Sequence, residues 1–404
     1  MIAIQPHRHV SPKASSAEGF TARRYDDFAE VEQLWRHMED RGWVSLFQQY
    51  DWAEQVRANL ATGSDTLPFV VEITDPRVEA PVMLLPFVLR KKSGYSVVEY
   101  FGLGVCDITA PLLAPDYVFP ADVGPALWEA ILSVLPKADF IRLDQIISKV
   151  GEAANPLLSL PDVHVSISPS FEAPIDGAFE TVVDRIVNNQ TRRILKTSSR
   201  RIAEIGEARF VAATTKAELD VLIPAMISQR LQRFQEMGRV DLLTRPDVQA
   251  FYRSAAVAGL EGKGPARVFG LFVGDECIAT TYGLVDGRSF CLTIMTMAGG
   301  PWQACSPGMA IIARVIQWSR QQDLKVIDFS VGELSYKTGF GGQRQERYAL
   351  WQGLTVKGRS AIVILHALSA TKRTLKNNPA LFNRLRSCVQ FVRRMRRSRS
   401  KPEV

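Results

Sequence analysis

Residues 266–297, "ARVFGLFVGDECIATTYGLVDGRSFCLTIMTM", decide the fold class. Three runs of apolar, β-branched and aromatic residues are separated by Gly274-Asp275 and Asp286-Gly287. Gly-Asp and Asp-Gly pairs favour tight turns, so the stretch predicts a three-stranded antiparallel meander. Downstream, after "AGGPWQACSPG" (298–308), the residues Met309, Ile312, Val315 and Ile316 recur at helical spacing in "MAIIARVIQWSRQQD". "KVIDFS" (325–330) reads as the strand that closes the unit.

The first half repeats this order. "LPFVVEI" (67–73), "APVMLLPFVLR" (80–90) and "SVVEYFGL" (96–103) form a meander. "PADVGPALWEAILSVLP" (120–136) is a Pro-bounded helix, and "DFIRLDQI" (139–146) a closing strand. Meander, helix, strand occurring twice argues for two tandem copies of one α/β fold. The expected division is a disordered tail over 1–20, a first domain over 21–150, a Pro- and Ser-rich crossing over 151–176 and a second domain over 177–355. A basic helical tail over 356–404 completes it.

Composition narrows the class. With 404 residues, 46% hydrophobic and 23% charged, the chain can bury real cores. It has no apolar run long enough to span a bilayer, and its polar first twenty residues lack the core of a secretory signal. Five cysteines (106, 277, 291, 305, 388) form no CxxC pair, which suits a reducing cytoplasm. Five scattered histidines without HExxH give no reason to expect a metal site. The net charge of +7 hides an asymmetry: residues 370–404 hold eleven Lys/Arg and one acid, leaving the rest slightly acidic.

Candidate chemistry gathers at two places. The first is the start of the helix after the second meander, where Gln303, Ser306, Gly308 and Met309 surround a helix N-terminus whose N–H groups and dipole suit a pyrophosphate. Pro307 removes one of those N–H groups. The second is "VIDFSVGELSYKTGFGG" (326–342), where a short apolar strand runs into Tyr336, Lys337 and several glycines. Cys305 has no histidine near it in sequence to activate a thiol. Arg192, Lys196 and Arg200 repeat every fourth residue along one helix, either as a solvated face or as a grip on an anionic acceptor.

These stretches carry a resemblance. Gln303-Ala304-Cys305-Ser306-Pro307-Gly308 is similar to the acyl-CoA loop Q/R-x-x-G-x-G/A of the GNAT fold, with serine replacing its first glycine. Asp328-Phe329, Gly332 and Tyr336-Lys337 resemble the D-F-x-x-G-x-x-x-Y-K segment of CelD/BcsL-type acetyltransferase-like proteins. Lys337 through Gly341 resembles the K-x-G-F-G-like loop of Fem-type aminoacyltransferases. "FQQYDWAEQV" (47–56), "CDITAPLL" (106–113), "FIRLDQI" and "SPGMAIIARVIQW" fall in the same family order.

The resemblance implies two tandem GNAT-like domains, mixed sheets flanked by helices. It places Lys337 at the oxyanion of acyl transfer, Tyr336 as an acid or substrate contact, and Asp328 as a group orienting Lys337 or touching the nucleophile. It turns Asp107 toward the interdomain cleft and makes Arg230 and Arg233, beside Gln229, part of an acceptor wall.

The expected activity is therefore cytoplasmic acyl transfer. Acetyl-CoA or another acyl-CoA would serve as co-substrate, with no permanently bound cofactor, and the acceptor would be an amine or hydroxyl of a sugar or cell-envelope polysaccharide precursor. The alternatives are a Fem-type enzyme using aminoacyl-tRNA and a non-catalytic module of a polysaccharide assembly.

From Pro379 onward, Leu381, Leu385, Cys388, Val389 and Val392 form an apolar stripe amid arginines. That pattern suggests peripheral contact with an anionic inner membrane. Nucleic acid is a poorer partner, since the tail has no aromatic stacking platform.

Overall fold

The computed structural model describes residues 15–377, residue 18 excepted. The apolar stripe beyond Pro379 and most of the N-terminal tail lie outside the described residues.

The first sheet begins with β1 (Ser15–Ala17), β2 (Phe20–Tyr25), β3 (Thr66–Asp75), β4 (Ala80–Lys92) and β5 (Tyr95–Tyr100), each antiparallel to its neighbour. A short β6 (Leu112–Leu113) pairs on β4. Strand β7 (Phe140–Ile146) then joins β5 in parallel, Val97 opposite Phe140 and Val98 opposite Ile141. A two-strand hairpin, β8 (Lys149–Val150) and β9 (Ala153–Ala154), and a strand β10 (Val163–Val165) follow.

Helices α1 (Glu32–Arg41) and α2 (Tyr50–Leu60) cover one face of this sheet, and α3 (Gly124–Val134) packs on the other. Burial of Trp35, Trp52, Phe69, Phe87 and their neighbours removes large apolar areas from water, which drives this half to collapse.

The second sheet repeats the plan. After β11 (Ser170–Pro174), helices α4 (Val182–Ile186) and α5 (Asn189–Ile205), β12 (Ala208–Ala212), α6 (Lys216–Glu236) and α7 (Pro246–Leu260) comes the meander. Its strands are β13 (Ala266–Val273), β14 (Glu276–Val285) and β15 (Ser289–Met297). Asp286 fixes the second turn by accepting from the N–H groups of Arg288 and Ser289 at 2.7 and 2.5 Å. Helix α8 (Pro307–Gln321) leads to β16 (Val326–Val331), which runs parallel to β15. A short α9 (Ser335–Gly339) and β17 (Gln343–Gln345) follow. Thr215 and Glu218 form a reciprocal capping box that starts α6.

The meander, helix and closing strand expected in each half are thus present in the same order, and in both the closing strand runs parallel to the last strand of the meander. The halves are also interwoven. Strand β18 (Tyr348–Gly353) returns to the first sheet between β7 and β10, while β11, from the stretch read as a crossing, lies beside β16 in the second. A shared core reinforces this: Trp52 of α2 meets Phe251 of α7 edge-on at 4.9 Å, within one continuous cluster. Helix α10 (Val356–Asn377) closes the described chain, seated against β18. Among the described residues no helix is long and apolar enough to cross a membrane.

Candidate active site

Parallel strands β15 and β16 hold together only from Ser289–Val326 to Cys291–Asp328. Beyond that pair they separate. An extra residue sits on β15 where its register with β14 slips, and Thr293 donates from Oγ1 to the Tyr282 carbonyl at 2.9 Å. Strand β16 turns away at Ser330, whose φ of 61° lies in the left-handed region that serine rarely adopts. Two devices hold this turn. The Ser330 N–H donates to Asp328 Oδ1 at 2.6 Å, and Lys337 Nζ donates to the carbonyls of Ser330 and Val331 at 3.0 and 2.8 Å.

Lys337 is therefore not in an exposed glycine loop, which is what the glycine-rich sequence suggests; it is 2% exposed. The glycines explain why. A Cβ at Gly339 would stand 2.4 Å from Thr191 Oγ1, and one at Gly341 would stand 2.8 Å from the Ile186 carbonyl. Lacking side chains, they let α4 and α5 close over α9, with the Asn188 N–H donating to the Gly339 carbonyl at 3.0 Å. The enclosed ammonium is weakened: burial lowers the Lys337 pKa to about 8, against the pull of Asp328 and Asp107.

Asp107 comes from the first half. Its Oδ2 accepts a 2.6 Å hydrogen bond from Ser330 Oγ. Burial raises its pKa, while Ser330, Lys337 and Arg230 oppose the rise. Asp107 and Arg230 line one pocket of about 100 Å³, with Tyr252, Thr293 and Ile294. Arg230 is held there by Asp241 at 2.8 Å and lies over the Phe234 ring. Asp107, Ser330, Lys337 and Arg230 thus converge where the strands part.

Asp328 is buried beside them and also lines a second cleft, about 380 Å³, between the two sheets. Burial raises its pKa well above the usual carboxylate range, and the nearby Glu172 adds to the rise. Arg347 opposes it: this buried guanidinium contacts Glu172 at 3.3 Å and Asp328 at 3.9 Å. Tyr336 packs its ring edge-on to Phe329 at 6.2 Å, and burial lifts its phenol to about 12.

The start of α8 uses part of its N–H set internally. A 3₁₀ turn over Gly300–Cys305 buries Trp302 and Cys305 against the second sheet and α8, with Phe269, Leu271, Ile311 and Ile312. The N–H groups of Ser306 and Met309 are spent on the carbonyls of Gln303 and Ser306, at 3.4 and 3.0 Å. Gly308 faces the sheet, since a Cβ there would stand 2.9 Å from Met295 Sδ. Gln303 and Arg233 share a small indentation with Gln229 and Gly299.

Arg192, Lys196 and Arg200 are exposed on α5, and Arg192 and Arg200 are occupied by Asp184 and Glu204. These three do not join the Asp107 cluster.

Sequence reasoning missed Ser330, Arg347 and Glu172. Ser330 carries no motif, because its importance is a backbone turn. Glu172 and Arg347 meet only through the exchanged strands.

Residues 189–338 match the acetyltransferase (GNAT) domain family. No curated protein is matched by sequence. Among solved structures, FemX superposes with a TM-score of 0.55 at 10% identity, covering 81% of this chain and 96% of its own. A tandem GNAT protein from the clavulanic acid biosynthesis pathway gives 0.46 at 13% identity, over 83% and 98%. The C-terminal domain of a putative lysylphosphatidylglycerol synthetase from Agrobacterium fabrum gives 0.49 at 12%, over 85% and 96%. The chain is built on a mixed α/β, GNAT-like fold whose strand plan occurs twice.

Proposed function

We propose that the protein is an acyltransferase whose reaction centre is the gap between β15 and β16. The observation that carries this reading is the convergence of Asp107, Ser330 and Lys337 on that gap, with Arg230 across a pocket. An amine or hydroxyl acceptor bound near Asp107 would attack the donor carbonyl. Asp107, its pKa raised by burial, would accept the acceptor's proton. The oxygen that becomes negative would lie near the Lys337 ammonium, which is fixed by two carbonyls and needs no reorganisation. Collapse of the tetrahedral species would then expel the donor's leaving group, with no covalent enzyme intermediate.

The donor in this reading is an acyl-CoA, most simply acetyl-CoA, and the acceptor a sugar or envelope-glycan precursor. The GNAT-domain match supports that donor. A second reading, an aminoacyl-tRNA donor, is favoured by one observation: the α8 start has already spent two of its N–H groups internally. Each donor predicts a different result. Acetyl-CoA should raise the melting temperature and yield free CoA with an amino-sugar acceptor, in a reaction lost in Asp107→Asn. Stabilisation by aminoacyl-tRNA alone would replace the first donor with the second. No response to either would overturn the enzymatic reading.

A further inference from the structure

Helix α10 (Val356–Asn377) has two unlike faces. One is seated: Ala361, Ile362 and Leu365 pack with Val97, Phe140, Tyr95 and Trp351 of the first sheet. Lys357 Nζ bonds the Gly94 carbonyl, and Arg373 Nη2 donates to the Val165 carbonyl at 3.2 Å, so both ends are tied down. The other face is apolar and open. Val356, Val363, Ile364 and Leu368 are 80%, 69%, 58% and 62% exposed. At 100° per residue they fall on one arc with Ser360, Ala367, Thr371 and Lys357, whose ammonium is turned back onto the Gly94 carbonyl and Asp139. Four large apolar side chains left in water along one arc call for a cover.

Charge indicates which cover. The helix contains Lys357, Arg359, Lys372, Arg373 and Lys376 and no acid, though Lys357 is already paired with Asp139 at 3.3 Å and Arg373 with the Val165 carbonyl. From Val356 to residue 404 the sequence holds thirteen Lys/Arg against one acid, Glu403. A second copy docking through α10 would bring two such sets of cations together. A nucleic acid would use the cations and leave the apolar arc uncovered. A bilayer with anionic headgroups satisfies both, because apolar side chains enter the acyl boundary while flanking cations meet the headgroups. We propose that α10 is the docking surface for an anionic lipid bilayer, presented by the first sheet as a preformed platform. The inference stands independently of the reaction assigned above.

The experiment is co-sedimentation of the full chain with vesicles of phosphatidylglycerol and phosphatidylcholine, or of phosphatidylcholine alone. The protein should pellet with the anionic vesicles at low salt, release at high salt and ignore the neutral ones. The exposed double variant Val363→Ser/Ile364→Ser should reduce partitioning by about tenfold or more while the melting temperature holds. Leu368→Gln probes the same face separately and should act in the same direction. Equal binding by the apolar-face variants would overturn the proposal, as would indifference to lipid charge. A dimer of the full chain that Val363→Ser/Ile364→Ser dissociates would assign the arc to a second copy instead.

Discussion

The Ser330 hydroxyl of the second half donates to the Asp107 carboxylate of the first at 2.6 Å. This bond joins a left-handed turn in one sheet to a loop of the other, and it lies beside the Lys337 ammonium. Its removal should be visible in both stability and turnover.

Ser330→Ala loses this bond and also the one its Oγ accepts from the Val331 N–H at 2.6 Å. A hydrogen bond to a charged or partly charged group is worth about 1.5–3 kcal/mol, so denaturant midpoints should fall accordingly. Ser330→Gly loses the same bonds but relieves the strain of φ 61°, recovering about 1 kcal/mol. The glycine variant should therefore be the more stable of the two. Equal midpoints would show that the turn is not strained.

Lys337→Met retains the stem and removes the ammonium. The buried Ser330 carbonyl and the half-buried Val331 carbonyl then lose their donor, at a cost of about 1–3 kcal/mol in urea unfolding. An exposed loop lysine would cost nothing measurable. If Lys337 also faces the oxyanion, turnover with the true acceptor should drop by roughly 10²–10³. A stability loss with unchanged turnover would leave Lys337 a structural clamp.

The pH dependence follows from the lowered Lys337 pKa. Below pH 8 the lysine is protonated in both folded and unfolded chains, so the full burial penalty is present. Between about 8 and the ordinary lysine value, the folded chain sheds its proton first, so Lys337 contributes a rise in stability with pH, which the buried thiols of Cys106, Cys277 and Cys291, held above their ordinary value, oppose from about 9. Turnover should do the reverse, falling above pH 8 as the ammonium is lost. Lys337→Met should remove that contribution, so its urea midpoints from pH 7 to 10 should follow a lower slope than those of the parent. Lys337→Arg, if it folds, should flatten the basic limb of the rate profile, since guanidinium stays charged.

Gly308→Val tests the start of α8. Its Cβ would stand 2.9 Å from Met295 Sδ and 3.2 Å from Met295 Cε, the flexible end of a side chain. The expected cost is about 1–3 kcal/mol of overpacking, read as a lower melting temperature. Changed acetyl-CoA affinity with unchanged stability would instead put this glycine against the donor.

What the sequence disclosed was mostly local. Gly274-Asp275 and Asp286-Gly287 announced the turns, and the spacing of Ile312, Val315 and Ile316 announced α8. Asp107 and Lys337 were found only through motifs, and nothing in their spacing indicated that Ser330 links them. The burial of Lys337 was hidden because glycine runs usually mark exposed loops. Here Gly339 and Gly341 serve close approach. Arg347 meets Glu172 across 175 residues, a contact that depends on pairing and not on periodicity.

Strand β18 imposes an order on biosynthesis. A ribosome delivers residues 20–146 first, yet the edge of β7 stays open until Tyr348–Gly353 has been made, because Leu350 must settle opposite Leu143. For most of translation the nascent N-terminal half exposes an unpaired strand edge, the feature that recruits chaperones or invites association. Emergence of β18, not completion of the first half, is the event that closes this sheet edge. Ribosome-arrested chains ending at residue 330 should accordingly be protease-sensitive in β7, whereas those with residue 353 beyond the exit tunnel should be protected.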